Sequence, residues 1–332
     1  MINQKGLVIF PNEFDDDWAG RFLDTDLNLL GLHTFEGSLG LTLEQTAAWL
    51  QNPETRRRLD RMSRAGVAVE FESHALSWLL PRDVFARQPA WFRVNERGER
   101  VNDHHFCHSN TEALEYISEQ AKLAAELFVP TTHRYHLWLD DTEVACHCPK
   151  CEELTNGGYT PSDVALLVDN AILRGLRAVD SGAKQCYLAY ASMYDAPRNV
   201  QPAEGIFLEY APMAREIGRP LNDPECEKNA KTAGYIDGLL QTFSTKDAKV
   251  LDYWLDNSWF SNWRKPIKKF HFRAEAARAD VAFYAAKGFE IITSFACFLG
   301  KEYYETHGEH ADIGVYAAIF KEMCGTISNK EG

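Results

Sequence analysis

The sequence predicts a single (β/α)8 TIM barrel. Short apolar runs rich in β-forming residues alternate with amphipathic segments along the chain, which is typical of parallel βα units. Eight such runs are present, and no glycine-rich G-x-G-x-x-G turn follows the first, which disfavours an open dinucleotide-binding sheet. The length of 332 residues suits such a barrel, and no repeat or low-complexity linker divides it. We therefore expect residues 1–332 to form one domain.

The first half of the chain carries four predicted strands and four helix starts with polar caps. Asp15 precedes the first helix-like stretch, Thr42 caps a second, and Asn52 caps a third that has Pro53 at its first position. After a long excursion to about residue 109, Asn110 caps a helix with an apolar stripe. The predicted strands of this half are residues 7–10, 29–35, 67–73 and 135–140.

The second half repeats the pattern with one irregularity. The connection between the fifth and sixth strands is too short for a regular helix, so an irregular link is expected there. Gly288 is a good residue to end the helix before the eighth strand. The predicted strands are residues 186–190, 205–210, 250–255 and 290–295, and the predicted helices are residues 161–179, 230–243, 273–287 and 314–323.

Several predicted strands carry polar residues at alternate positions near their carboxyl ends. Active sites of such barrels lie at this end, and alternate side chains of a strand share one face. Burying so many carboxylates without partners would be costly, so we expect a solvated pocket, with rim ion pairs as the alternative for any single acid. The residues are Glu70, Glu72 and His74, then His136, Trp138 and Asp140, then Glu209, and finally Asp252, Trp254 and Asp256.

Asp140 and Asp141 form an acidic pair at the end of the fourth predicted strand. Two neighbouring carboxylates suppress each other's ionisation, so one can stay protonated and serve as a general acid. Cleavage of a glycosidic bond needs such an acid and a second carboxylate as its partner. Metal sites and helix caps also use Asp pairs. Nearby aromatic residues could stack on a sugar ring, and these are Trp138, Tyr190, Tyr210, Tyr253, Trp254 and Trp259.

Three cysteines crowd into the C-x-C-x-x-C motif of Cys146, Cys148 and Cys151. Thiolates this close can occupy three corners of a zinc tetrahedron, and this spacing suits a metal better than a disulfide framework. Cys107 is our choice for the fourth ligand, because neighbouring βα loops can meet. A closed site would be structural, an open one catalytic, and free thiols are the third alternative. Substitutes for the fourth ligand are His108, His147 and Cys186.

Composition excludes some classes of partner. The formal net charge of −13 disfavours binding to a nucleic-acid backbone, which needs a basic surface. No apolar run reaches the roughly 18 residues that a membrane span requires. The first ten residues run straight into a strand-like segment without a leader pattern, so a cytoplasmic location is expected. The sequence leaves the oligomeric state open.

Together these motifs resemble an uncharacterised family of TIM-barrel proteins allied to the glycoside hydrolases and related to α-glucuronidases. The likeness covers about two thirds of the chain, and the cysteine motif is its most specific part. The Asp-Asp pair is also similar to that of the O-GlcNAcase-type hexosaminidases, although the surrounding sequence matches that family poorly. The matching residues are 89–92 (PAWF), 106–110 (FCHSN), 139–141 (LDD), 146–151 (CHCPKC), 188–190 (LAY) with Pro197, and 252–253 (DY).

The resemblance implies roles for the acidic pair. Carried over, Asp140 would polarise the substrate and Asp141 would be the general acid/base, and Glu209 is the other candidate partner. The expected substrate is a carbohydrate or glycoconjugate, and zinc is the expected structural metal. A zinc-dependent hydrolase and a non-catalytic sugar-binding barrel are the alternatives. The residues expected to line the sugar pocket are His33, Glu72, His74, Trp138, Tyr190, Tyr210, Tyr253, Trp254 and Asp256.

Overall fold

The chain folds as a closed barrel of eight parallel strands, so the predicted fold class is confirmed. The structure is a computed structural model that describes residues 2–35, 39–142 and 145–328, without the side chains of residues 324–328. Each strand pairs with the next along the chain, and the eighth pairs with the first. The strands are β1 (Gln4–Ile9), β2 (Leu29–His33), β3 (Ala68–His74), β4 (Arg134–Trp138), β5 (Lys184–Ala189), β6 (Ile206–Tyr210), β7 (Lys249–Asp252) and β8 (Ile291–Phe295).

Helices follow most of the strands and cover the outside of the barrel. None of the helices in the described residues is long and apolar enough to cross a membrane. The helices are α1 (Asp16–Leu23), α2 (Leu43–Leu50), α3 (Pro53–Arg64), α4 (Leu76–Leu79), α5 (Thr111–Leu127), α6 (Pro149–Asn156), α7 (Pro161–Arg177), α8 (Glu227–Gly234), α9 (Ile236–Phe243), α10 (Asn257–Phe260), α11 (Ala274–Lys287), α12 (Lys301–His307) and α13 (Ile313–Ser328).

Polar caps account for where several helices begin. The side chains of Asp15, Asn52 and Asn110 each accept a backbone N–H of the first helical turn. Thr42 forms a capping box with Gln45 at the start of α2. These starts are therefore where the sequence predicts them. The connection between β5 and β6 contains only a short 3-10 turn, Ala191–Met193, which confirms the irregular link.

Two features of the outer helices can be compared with the sequence prediction: the division of one helix and the end of another. The helix predicted over residues 230–243 is divided at Tyr235 into α8 and α9. Gly288 ends α11 with a φ of 94°, in the left-handed region that glycine adopts without strain, as its position in the sequence predicts. The division was not predicted: α8 buries the polar residues Asn229 and Thr232, whereas α9 buries Ile236, Leu239 and Phe243.

A polar network fills the interior of the barrel below its carboxyl end. The fully buried Lys249 on β7 donates to Glu70 at 3.3 Å and to Glu72 at 2.6 Å, and it forms an ion pair with Glu209 at 3.0 Å. His136 on β4 bridges two of these, with Nε2 3.0 Å from Glu70 and Nδ1 2.7 Å from Glu209. The network therefore joins β3, β4, β6 and β7 through side chains as well as through backbone hydrogen bonds.

The charges in this network balance one another. Burial acts to raise the pKa of Glu70, but the cations of Lys249 and Arg134 outweigh it and hold that pKa well below its usual value. Burial acts to lower the pKa of His136, but the Glu209 carboxylate raises it to about 9, so the imidazole is cationic at neutral pH. Glu72 differs, because burial raises its pKa although Lys249 acts to lower it. Three acids thus face three cations, which limits the free-energy cost of burying charge.

The inward face of the seventh strand is the opposite of the one predicted. Leu251 and Tyr253 face the barrel, whereas Asp252 accepts from Arg215 Nη1 at 3.0 Å and from Tyr284 Oη at 2.8 Å. Asp252 therefore points outward toward Tyr284 of α11, and its charge is balanced by Arg215 from the loop after β6. The sequence pattern was misleading because a buried ion pair puts a carboxylate on the helix side, where periodicity leads one to expect apolar residues.

Removal of the central ammonium tests the network. Lys249→Met leaves three buried carboxylates with less compensation, and we expect a loss of about 3–5 kcal/mol in the free energy of unfolding. Urea denaturation measures the free energy of unfolding of the wild type and the variant. Lys301→Met is the matched control. Lys301 is exposed and, within the described part of the chain, pairs with Glu305 on its own helix, so its loss is expected to stay below about 1 kcal/mol. Equal stability of the two variants would contradict the network's role.

Candidate active site

A cavity of about 740 Å³ opens at the carboxyl ends of the strands. Residues at or just beyond the ends of all eight strands line it, as expected for the functional face of a barrel. Its size is typical of a site for a drug-sized ligand. The predicted site residues that line it are His33, His74, Trp138, Asp140, Asp141, Tyr190, Tyr253 and Asp256.

The acidic pair lies just beyond β4, which ends at Trp138. Asp140 is held in place: its Oδ1 accepts the Ser77 backbone N–H at 3.2 Å, and its Oδ2 accepts the Ser77 hydroxyl. His104 Nδ1 lies 3.7 Å from the same carboxylate. Asp141 is exposed at the cavity wall. One acid of the pair is therefore fixed by partners, and the other is open to water and ligand.

A third acid reaches the cavity from the loop after β7. Asp256 is 5% exposed and caps α10, where its Oδ1 accepts from Ser258 N at 3.0 Å and from Trp259 N at 3.3 Å. Burial raises the pKa of Asp256 to about 6, although these hydrogen bonds act to lower it. A carboxyl with this pKa exchanges a proton near neutral pH, which suits acid–base chemistry.

Aromatic rings form part of the cavity lining. The His33 ring lies 5.4 Å from Trp138, 5.1 Å from Phe295 and 6.2 Å from His74, measured between centroids. Burial lowers the pKa of His33 to about 3, with the neighbouring His74 acting in the same direction, so its imidazole is neutral. A neutral imidazole beside flat apolar rings can hydrogen-bond a hydroxyl without placing a charge in the cavity.

Acids predominate among the charged side chains of the lining. Among the described residues one arginine, Arg82, lies there. Its guanidinium is 4.9 Å from the centre of the Phe92 ring and donates to the backbone carbonyls of Leu80 and Asp103. The described residues contribute no lysine. The field in the cavity therefore favours a neutral or cationic ligand over an anionic one. The acids are Glu44, Asp140, Asp141 and Asp256.

Glu72 and Glu209 were predicted as site residues, but the structure places them below the cavity. Both are fully buried and bound to Lys249, and neither is part of the lining. Trp138 connects the two levels, because its Nε1 donates to Glu209 at 3.0 Å while its ring lines the cavity. The inward parity predicted for the two glutamates is right, but they lie too far down their strands to reach the ligand space.

Tyr210 and Trp254 also lie outside the cavity lining, since both point away from the barrel axis. The Tyr210 hydroxyl donates to the Thr232 carbonyl of α8 at 2.8 Å. Trp254 Nε1 donates to Asp280 of α11 at 2.9 Å. Both rings therefore fill the layer between strands and helices, and their predicted stacking on a sugar is not compatible with this placement.

Other cavity residues were missed. Ser77 and His104, which hold Asp140, lie in the excursion after β3, and their position there carries no periodic signal. Trp263 also lines the cavity. The prediction chose Trp259 from that region, but its ring packs 5.5 Å from Tyr253 and is not part of the lining. A search for every tryptophan after a strand end could have found Trp263.

The four predicted cysteines come together in one buried cluster. Their sulfurs all lie within 4.8 Å of one another, and Cys107 Sγ is 3.6 Å from Cys148 Sγ and 3.7 Å from Cys151 Sγ. Sulfurs at the corners of a tetrahedron with metal–sulfur bonds of about 2.3 Å are about 3.8 Å apart. These separations fit a four-thiolate metal site and exceed the roughly 2.05 Å of a disulfide. His108, His147 and Cys186 are not members of the cluster.

The cysteine cluster ties the excursion after β3 to the loop after β4. Val94 N donates to Cys146 Sγ at 3.3 Å, and His147 N donates to the Val94 carbonyl at 2.8 Å. Cys107 comes from the excursion that also carries Ser77 and His104. A bound metal would therefore fix the two segments that together hold Asp140. None of the four cysteines is part of the cavity lining.

Residues 42–238, more than half of the chain, match the model of a domain of unknown function (DUF4838). A search of curated proteins finds no match. Among solved structures, the chain is similar to a GH5 family lichenase from Caldicellulosiruptor sp. F32, at 11% identity over 95% of this chain and 92% of that one, with a TM-score of 0.48. It is also similar to a structure of the GH20 catalytic modules of the pneumococcal exo-β-D-N-acetylglucosaminidase StrH, at 11% identity over 95% and 83%, with a TM-score of 0.45.

Proposed function

This chain belongs to the DUF4838 family, and we propose that it is a glycoside hydrolase that cleaves a glycosidic bond with carboxylates of its cavity. The observation that carries the proposal is that Asp140, Asp141 and Asp256 line one cavity together with aromatic rings. Acids from the loop after β4 and from the loop after β7 line the same ligand space, and glycosidic cleavage uses two carboxylates that face one substrate. The aromatic rings supply flat apolar surface for the C–H faces of a sugar.

In the proposed reaction Asp141 is the general acid/base. It gives a proton to the glycosidic oxygen as the bond from that oxygen to the anomeric carbon breaks. Asp256, in its ionised form, stabilises the positive charge that develops on the sugar, and it takes the role first assigned to Glu209. Water supplies the oxygen that ends on the anomeric carbon, and its proton returns to a carboxylate. Asp140, held by Ser77, polarises and orients the substrate.

The charges of the lining favour a neutral or amino sugar as the substrate. A uronic acid brings a carboxylate, and carboxylates are usually met by arginine or lysine in a binding site. Here the guanidinium of Arg82 binds two backbone carbonyls, and the other charged groups are acids. We therefore propose that the sugar bound in this cavity carries no carboxylate, even though the sequence resembles α-glucuronidase relatives.

We further propose that the cysteine cluster binds one structural zinc ion. Four thiolates at tetrahedral spacing are a ligand set that zinc prefers, and they leave no coordination position for substrate. The cluster is also separate from the cavity lining. These two features speak against the zinc-dependent hydrolase alternative, in which an open Cys/His site would do the chemistry. The remaining alternative is a sugar-binding barrel without activity, and measured turnover of a glycoside would exclude it.

Replacement of the proposed acid tests the catalytic assignment. We expect Asp141→Asn to lower kcat/KM by about 10²–10⁴-fold, because a neutral amide cannot transfer the proton. The assay is release of 4-nitrophenol from both anomers of neutral, amino and uronic aryl glycosides. Asp60→Asn is the control, since Asp60 is an exposed aspartate on α3 outside the cavity. Full activity of Asp141→Asn on a turned-over substrate removes the assignment.

The pH dependence of activity tests Asp256. Its carboxyl must be ionised in the proposed reaction and has a pKa of about 6, so kcat/KM should fall as the pH drops through about 6. In Asp256→Asn the remaining kcat/KM should not fall as the pH drops through this range. Asp169→Asn is the matched control, because burial also raises the pKa of Asp169, and this carboxylate accepts from Gln185 at 3.3 Å outside the lining. A wild-type rate that instead falls above pH 6 would assign Asp256 as the proton donor.

Metal content tests the zinc proposal. We expect one zinc ion per wild-type chain by elemental analysis, and its loss in Cys146→Ser together with a lower midpoint of thermal unfolding. Cys226→Ser controls for loss of a buried thiol, because Cys226 lies outside the cluster. Removal of the metal by a chelator should lower activity only to the extent that the two segments holding Asp140 lose their fixed arrangement. Wild-type protein without metal would leave the cluster as free thiols.

A further inference from the structure

Trp263 stands out among the aromatic residues of the cavity because it is exposed. It lines the cavity, yet 38% of the residue is accessible to solvent. Tyr253, another aromatic of the lining, is 6% exposed and packs 5.3 Å from Phe295. A large aromatic ring open to water at the wall of a cavity is unusual for a folded protein, which normally buries such a ring.

The backbone at this position is also unusual. Asn262 has a φ of 54° and Trp263 a φ of 49°, so two successive residues with side chains adopt the left-handed conformation. For a bulky residue this conformation is uncommon and raises the free energy of the folded state. Glycine would adopt it without strain. A strained tryptophan in place of glycine indicates that the ring itself is useful there.

Hydrogen bonds join the backbone of Trp263 and a proposed catalytic acid in one structural unit. Trp263 N donates to the Ser258 carbonyl at 2.7 Å, and Ser258 in turn donates its N–H to Asp256 at 3.0 Å. Asn262 N also donates to the Trp259 carbonyl at 2.8 Å. The short helix α10 therefore fixes the position of Trp263 relative to Asp256. Trp263 and Asp256 line the same cavity, so a ligand ring that stacks on Trp263 shares its space with this carboxylate.

We propose that Trp263 is the stacking platform of an outer subsite that binds a second, uncharged sugar ring. The preferred substrate is then an oligosaccharide or polysaccharide chain, whose outer ring adds binding affinity to that of the reacting sugar. This inference rests on the proposed function and adds a substrate class to it. The cavity of about 740 Å³ has the size that takes a drug-sized ligand, larger than one sugar ring. Trp78 and Glu44 also line the same cavity.

Binding measurements test the subsite. Isothermal titration uses the Asp141→Asn chain, to prevent turnover, with cellotetraose, maltotetraose, xylotetraose and chitotetraose and with their monosaccharides. We expect at least one tetrasaccharide to bind more tightly than its monosaccharide. Adding Trp263→Ala should lower the affinity for that tetrasaccharide by about tenfold and leave the affinity for the monosaccharide unchanged. Trp263→Phe should restore most of the affinity, because phenylalanine keeps an aromatic face.

Two further variants separate a binding role from a structural one. Tyr304→Ala removes an exposed aromatic residue on α12 outside the lining and should leave all affinities unchanged. Trp263→Gly should weaken the tetrasaccharide as Trp263→Ala does, while its midpoint of thermal unfolding stays at or above that of the parent because the strain is relieved. Equal tetrasaccharide affinity with and without the Trp263 ring overturns the subsite and leaves the proposed function intact. Absence of binding by every sugar overturns both.

Discussion

The buried ammonium of Lys249 is the interaction on which the barrel and its cavity depend. It holds glutamates from β3 and β6 against β7, and His136 extends the same network to β4. Such a charge in the barrel axis is tolerated only because all partners are present and correctly spaced. The network therefore fixes the relative height of four strands, and with it the height at which their ends open into the cavity.

The barrel interior is divided into two levels with different tasks. The lower level is closed, and its charges are paired. The upper level is open, and its acids face the ligand space. Trp138 lies at the boundary: the indole N–H is bound to Glu209 below, and the ring forms part of the cavity lining above. This division explains why Glu209 and Asp256 differ in chemistry, since Glu209 is held by cations, whereas the described residues hold Asp256 through N–H groups and the Ser258 hydroxyl.

The fold could be predicted almost completely from the sequence, because alternation of strands and helices and polar caps such as Thr42 and Asn110 are local signals. The site could be predicted in part. Asp140, Asp141 and the cysteine motif follow one another along the chain, so their proximity needs no tertiary information. Lys249 was missed because it lies at the first position of β7, where the pattern gives no indication of inward orientation. Which of Glu209 and Asp256 reaches the cavity depends on depth along the barrel axis, which periodicity does not encode.

The cysteine cluster has a consequence for the order in which the molecule assembles. All four of its sulfurs come from residues 107–151, whereas the barrel closes only when β8 pairs with β1. A ribosome has made the complete ligand set before the first residue of β5 is added. Capture of a metal by these four thiolates would close a short stretch of chain, which loses little conformational entropy. The amino-terminal half can thus acquire a fixed loop arrangement during synthesis, and the later strands add to a partly organised template.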